Sequence, residues 1–410
     1  MTAARDTTRE TQLAQALRRH EEAGDRKAMA LDCYQLGAFY QDQGQINLAV
    51  HSIRRALVLC ESLRDVQGVA MAYCRLGLLH EILGDFGQAE FLLQEARRRH
   101  DQIHDLRGLA DDLGYIGFVN YQQGDLKTAE SLYLEALSLH QQLRNAGKQA
   151  EDWGNLGNLY STQGDADRAR DAHHESLKLY EMAGDHQGMG NQYRSLARLA
   201  MGADQDEQAV ELLDAAVAMH QKSQTSLGEG LDHETLGIVH ERQKRTDLAE
   251  ACYRRANELV ETTGHKRHLA SVRGRLGSLR LRANDADSAL PLLQDAHDLS
   301  MQIDDEMAAA RWGKRLADAQ MKMGNLEGLQ IRDLYEKSLR IYQKGQNPEG
   351  QAQVYVGLGN LAARQGESTQ AVAMWTAATE RFRQLGSESQ VRQVEGAIQG
   401  IWVRGHREVA

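Results

Sequence analysis

One period dominates this sequence. A leucine-type residue followed by a small residue returns every 40 positions, at Leu36-Gly37, Leu76-Gly77, Ile116-Gly117, Leu156-Gly157, Leu196-Ala197, Leu236-Gly237, Leu276-Gly277 and Leu316-Ala317. The ninth copy, Leu358-Gly359, arrives two residues late. Thirteen residues past the Leu stands an alanine: Ala49, Ala89, Ala129, Ala169, Ala209, Ala249, Ala289 and Ala371. Seven further on is another small residue, such as Ala56, Ala96, Ala136, Ser176 or Ser338. Recurrence at a fixed spacing of 20–50 residues is the signature of a stacked-repeat architecture, in which each unit buries its apolar face only against its neighbours.

Within each half-unit the apolar positions follow a helical period, as in Trp153, Leu156, Gly157 and Tyr160. Gly or Ala at the second position lets two helices approach closely. A turn residue separates the halves: Gly44, Gly84, Gly124, Gly164, Asn284, Gly324 and Gly366. Such residues reach the positive φ that ends a helix. The spacing predicts helix A over 28–43 and helix B over 46–63 in the first unit. At 1.5 Å per residue each is about 24–27 Å long. Only 2 Pro occur in 410 residues, which excludes Pro-rich linkers and argues against a turn-dense β fold.

The pattern resembles the tetratricopeptide repeat (TPR) family, whose unit reads W-x2-L-G-x2-Y, then Ala, an aromatic, and Ala. The first aromatic position holds Tyr73, Trp153, Tyr193 and Tyr355, and the later one Tyr133, Tyr253, Tyr335 and Trp375. The family unit is shorter than this one, so the chain is most similar to the extended repeats of kinesin light chain and of Pins/LGN-type adaptors. The resemblance implies an all-α, right-handed α-solenoid of about nine helical hairpins with capping helices at both ends. The expected organisation is an N-terminal capping half repeat over 1–27, nine repeats over 28–387, and a C-terminal capping helix and tail over 388–410. Three irregularities are expected to matter. Units five and six lack a turn glycine (Asp204, Lys244), Pro291 lies about one turn into a B helix, and unit eight carries two extra residues between Gly324 and Tyr335. A local kink at units seven and eight is the expected result.

In TPR solenoids helix A lines the concave wall, so the resemblance implies which positions face a ligand. In the first four units they include Tyr34, Arg75, Tyr115, Phe118, Tyr121, Asn155 and Asn158, an aromatic and polar stretch. In the later units they include Arg194, Arg198, Arg242, Arg275, Arg282, Lys314, Arg315, Lys322 and Arg364, with Arg273, Arg280 and Arg311 close by on the same helices. Acidic residues there are fewer: Glu234, Glu241 and Asp318. Two readings follow. The basic stripe binds an acidic, C-terminal or phosphorylated peptide, since a wall of one sign focuses its field on an opposite ligand. Or it is a solvated face paired with Asp and Glu of neighbouring helices. The carboxylate clamp of chaperone-tail-binding TPRs is missing, because Gly114, Phe118, Asn191 and Ser195 stand where its Lys, Asn and Arg would be. The asparagine ladder of polarity adaptors is reduced to Asn155, Asn158 and Asn360.

No catalytic or phosphate-binding motif is present, and no cofactor is expected. His20, Cys60, His100, His140 and His220 form a column at the ends of the B helices. At least one repeat separates each from the next, too far for ligands that must all reach one metal at about 2.0–2.3 Å. A half-buried seam position is therefore expected, and no metal. The net charge of −10 disfavours a general nucleic-acid binder. Four cysteines without a CxxC spacing suggest reduced thiols, and no apolar leader or spanning segment is legible, so a cytoplasmic protein is expected. The function expected is a non-catalytic scaffold or adaptor, monomer or dimer, that holds an acidic or extended segment of a partner protein in its groove. RNA or phosphate binding, self-assembly and a regulatory role in an enzyme complex are the alternatives.

Overall fold

The computed structural model describes residues 2–324 and 328–407, with side chains over 9–324 and 330–400. It contains twenty α-helices, and among the described residues there is no strand. Two compact units divide it, Met1–Ala203 and Asp204–Ala410. The first holds α1 (Thr2–Ala23), α2 (Arg26–Asp42), α3 (Ile46–Leu63), α4 (Val66–Ile82), α5 (Phe86–Gln102), α6 (Leu106–Gln123), α7 (Leu126–Gln142), α8 (Ala146–Gln163), α9 (Ala166–Ala183) and α10 (His186–Gly202). The second holds α11 (Asp206–Lys222), α12 (Ser226–Arg242), α13 (Thr246–Glu261), α14 (Lys266–Arg282), α15 (Ala286–Gln302), α16 (Glu306–Lys322), α17 (Gly328–Lys344), α18 (Pro348–Arg364), α19 (Ser368–Gln384) and α20 (Glu388–Arg407). Within each unit, successive helices pack as antiparallel hairpins, and the even-numbered helices up to α18 are the A helices.

The helices begin and end by local chemistry. Most starts carry an Asp or Asn whose side chain accepts from a first-turn amide, as Asp65 does from Gly68 N and Asn347 from Gly350 N. Such a cap stabilises a helix by about 1 kcal/mol. Ends are set by a left-handed residue about every 20 positions, from Gly24 (φ 68°) to Gly386 (φ 67°). Where glycine is missing the backbone takes the same conformation: Asp204 has φ 56° and Lys244 φ 59°. Packing on both sides over-determines these turns and outweighs the residue's own preference. Helix α15 runs unbroken through Pro291. Helix α17 is described from Gly328, and α18 begins at Pro348, two residues later than the 40-residue period would place it. Residues 325–327, where the extra length was expected to act, lie outside the described residues.

The hairpin interior explains the Leu-small pair. A Cβ on Gly237 would lie 2.5 Å from Tyr253 Cε1, so only glycine admits the tyrosine ring. Tyr253 is fully buried, and its hydroxyl donates to Glu241 at 3.1 Å. Tyr133 fills the equivalent place against Gly117 and packs with Leu156, Leu159 and Tyr160 of the next hairpin. Helix α1 contributes Leu17 to a cluster with Cys33, Leu36 and Ala56, and α20 contributes Val394 to one with Trp375 and Phe382.

Between hairpins lies a seam that the histidine column enters. His20, His100, His140 and His220 each place Nδ1 at 2.5–2.6 Å from the carboxylate of the aspartate twelve residues on: Asp32, Asp112, Asp152 and Asp232. The last three pairs are buried. Where the column holds Cys60 or Val260, the residue twelve positions on is Ala72 or Val272, and all four are buried. Each of these histidines is tied to an aspartate of the following helix, and no group of three or more His, Cys, Asp or Glu among the described residues could hold a metal ion. Burial pushes the Asp152 carboxyl up to about 6, against the opposing pull of His140. The hydrogen bond to Asp112 holds His100 above the usual histidine value despite burial.

Candidate functional site

In the first unit the A helices touch one another, α4 against α6, α6 against α8, and α8 against α10, which sets them along a common wall. Three cavities line this wall in succession. One of about 570 Å³ lies between α2 and α4, bordered by Tyr34, Leu63 and Met71. The second, about 420 Å³, shares Tyr34 and Met71 and extends to Arg75, Leu78 and Tyr115. The third, about 270 Å³, is lined by Leu78, Tyr115, Phe118 and Asn155, with Glu81, Asp111 and Lys148 at its edges. Tyr34 and Tyr115 therefore join three cavities into one track.

Tyr34 is anchored by its hydroxyl, which donates to the Gly68 carbonyl. Phe118 and Tyr121 have ring centroids 6.5 Å apart, and Tyr121 Oη shares a 2.8 Å hydrogen bond with Thr162 Oγ1. Asn155 lies in the third cavity, whereas Asn158 is exposed and lines none of the three. Lys148 bridges Asp111 (3.3 Å) and Glu151 (2.8 Å). Burial works against its charge, but these carboxylates outweigh it and hold the ammonium above the usual lysine range.

The basic positions of the second unit are engaged by carboxylates of the same fold. Arg275 reaches Glu234 at 3.0 Å and Arg282 reaches Glu241 at 2.6 Å, each from α14 to α12. Lys314 (2.8 Å) and Arg315 (3.8 Å) share Asp318. Arg242 meets Asp204 at 2.7 Å and Asp206 at 3.3 Å. Arg364 donates to the Met321 carbonyl, and Arg311 stands 5.6 Å over the Trp312 ring. Arg273 turns away from this row: it contacts Glu261 on α13 and Asp295 on α15, both B helices, at 2.5 and 3.2 Å. In the first unit, Arg194 hydrogen-bonds Asn191 at 2.6 Å and Arg198 is exposed on α10. The structure thus brings Tyr34, Tyr115, Phe118 and Asn155 together on one wall and ties most of the basic stripe into intramolecular pairs.

The sequence profile of the tetratricopeptide repeat matches residues 27–102, 112–182 and 230–302, more than half of the chain. The chain is a tetratricopeptide repeat protein. No curated protein matches this TPR protein at a significant level. Several solved structures do. A Signal Transduction ATPase with Numerous Domains from Pyrococcus horikoshii, which carries a tetratricopeptide repeat sensor, is similar over 87% of this chain and 55% of its own, at 14% identity and a TM-score of 0.63. A Rap protein complexed with competence and sporulation factor covers 93% of this chain with 98% of its own, at 11% identity and a TM-score of 0.53. Aspartyl phosphate phosphatase F from Bacillus subtilis covers 84% with 91% of its own, at 12% identity and a TM-score of 0.53. At such identities the likeness is one of fold. No helix of this TPR protein among the described residues is long and apolar enough to cross a membrane.

The aspartates of the seam and the acidic edge of the third cavity were missed from sequence. The signal for the first was present: His-x11-Asp recurs at 20/32, 100/112, 140/152 and 220/232. The second needed the stacking, because Glu81, Asp111 and Glu151 come from three different A helices.

Proposed function

We propose that this TPR protein is a non-catalytic scaffold that seats an extended segment of a partner protein along the A-helix wall of its first unit. The observation that carries the reading is the track of three cavities joined by Tyr34 and Tyr115, with Phe118 at one end. Half-buried aromatic rings on a rigid helical wall supply contact area at low entropic cost, which is what a peptide groove needs. The terminal helices α1 and α20 serve as caps in this reading, and the repeats between them as the binding surface. One of the structural neighbours is a Rap protein complexed with competence and sporulation factor, which accords with ligand binding on this kind of fold.

A second reading places an acidic or phosphorylated segment on the second unit. It is favoured by Lys314 and Arg315 sharing the single carboxylate of Asp318, which leaves positive charge in surplus there. Both readings are tested by selecting random 12-residue peptides on the full-length protein by phage display and titrating the synthetic winners. The track predicts at least about tenfold weaker binding to Tyr115→Ser/Phe118→Ser, with Arg275→Glu/Arg311→Glu/Arg315→Glu unaffected. The reverse pattern would favour the second unit. Winners that bind all variants equally would refute both.

A further inference from the structure

The third cavity carries information about what the bound segment must contain. Its floor is apolar and aromatic, with Tyr115 and Phe118. Its edge carries Glu81 from α4, Asp111 from α6 and Glu151 from α8. Lys148 is the one cation among the lining side chains, and it is already shared between Asp111 and Glu151. The side-chain carboxylate of Glu81 has no hydrogen-bond or ion-pair partner among the described residues. Burial raises its pKa, the mark of a carboxylate that lacks the countercharge its site could hold.

An independent observation comes from His140, which lines the same cavity and is 2% exposed. Its Nδ1 lies 2.6 Å from Asp152 Oδ2. A carboxylate accepts, so Nδ1 donates, and only Nε2 is left to meet another group. That Nε2 is buried without a hydrogen-bond partner, 3.7 Å from Asp111 Oδ1. Orphaned buried polar atoms are uncommon in folded proteins and call for a partner. The cavity therefore sets the carboxylates of Glu81 and Asp111 and the unpartnered Nε2 of His140 around an aromatic floor, and its one cation is already paired.

A bare metal ion does not answer this arrangement, since no group of three His, Cys, Asp or Glu among the described residues is placed to ligate one. A guanidinium does. It is flat, always charged, carries five N–H donors in a fixed fork, and stacks on aromatic rings. Resting on the groove reading above, we propose that this cavity is the specificity pocket for an arginine side chain of the bound segment, gripped by Glu81 and Asp111 over Tyr115 and Phe118.

The experiment uses the peptides selected by phage display on the full-length protein. Each arginine in a winning peptide is replaced by citrulline, which keeps the shape and removes the charge, and Kd is measured by fluorescence anisotropy against wild type and Glu81→Gln. Far-UV circular dichroism of the variant controls for folding. The proposal expects winners to share one arginine at a fixed spacing from apolar residues. Its citrulline form should bind wild type about 10- to 50-fold more weakly, and Glu81→Gln should respond to the same swap by less than about threefold. Winners without a shared arginine, or an equal citrulline effect on both proteins, overturn the pocket assignment. If those winners still lose binding in Tyr115→Ser/Phe118→Ser, the groove reading survives alone. If no peptide is enriched, or none depends on either variant, both fall.

Discussion

Replacing Asp232 by alanine should open the seam between α11 and α12. His220 and Asp232 are both completely buried, with Nδ1 and Oδ2 2.5 Å apart. Removing one member of a buried, tightly hydrogen-bonded acid–imidazole pair leaves the other without compensation, and breaking a buried pair of this kind typically costs about 3–5 kcal/mol. At about 1.4 kcal/mol per decade, that is roughly a hundred- to several-thousand-fold in the local opening equilibrium. Replacing both members by valine should be far milder, within about 1.5 kcal/mol of wild type, because well-packed apolar pairs often replace buried ion pairs without loss. The chain supplies its own precedent one repeat later, where Val260 and Val272, both fully buried, occupy the same two positions. The assay is hydrogen exchange by mass spectrometry on α11 and α12, since stacked repeats open locally and a single global midpoint averages over them. A single variant that loses less than tenfold in protection, or a Val/Val variant as damaged as the single one, would refute the reasoning.

Three further outcomes are expected. Gly237→Ala sets a Cβ 2.5 Å from Tyr253 Cε1, so overpacking of about 1–3 kcal/mol should outweigh alanine's better helix propensity, and urea unfolding should shift to lower concentration. Lys244→Gly relieves a lysine held at φ 59° and should stabilise by about 0.5–1 kcal/mol, read from the same titration. The His100–Asp112 seam should weaken as pH rises. Its hydrogen bond to Asp112 raises the folded imidazole above 6.5, so this stabilisation is complete below pH 6.5 and is lost as pH climbs through the folded value. Burial raises Asp112 from 3.8, which acts in the same direction from that pH upward. Opening free energies of α5 and α6, corrected for intrinsic exchange, should fall as pH rises above about 6.5, and His100→Gln should flatten the slope.

The repeat made the helices legible because one period wrote their boundaries many times over. Helix A, expected over 28–43, is Arg26–Asp42, and helix B, expected over 46–63, is Ile46–Leu63. Aromatic wall positions were legible for the same reason: Tyr34, Tyr115 and Phe118 stand two before, one before and two after their unit's Leu-type residue, on the part of helix A that lines the wall. Charge was harder. Arg275 and Glu234 are 41 residues apart, as are Arg282 and Glu241, so each pair forms only when successive A helices stack, and counting the stripe by sign misses it. Arg273 precedes Arg275 by two residues, about 200° around the helix, which turns it toward α13 and α15. The seam aspartates were hidden because each histidine pairs with the first helix of the next hairpin and not with its equivalents down the column.

Hydrogen exchange on the full-length protein, with and without a saturating selected peptide, tests the central claim most directly. Binding along the first-unit track predicts slowed exchange in α2, α4, α6 and α8, strongest near Tyr34 and Tyr115. Protection confined to α3, α5 and α7, or found only in the second unit, would contradict it.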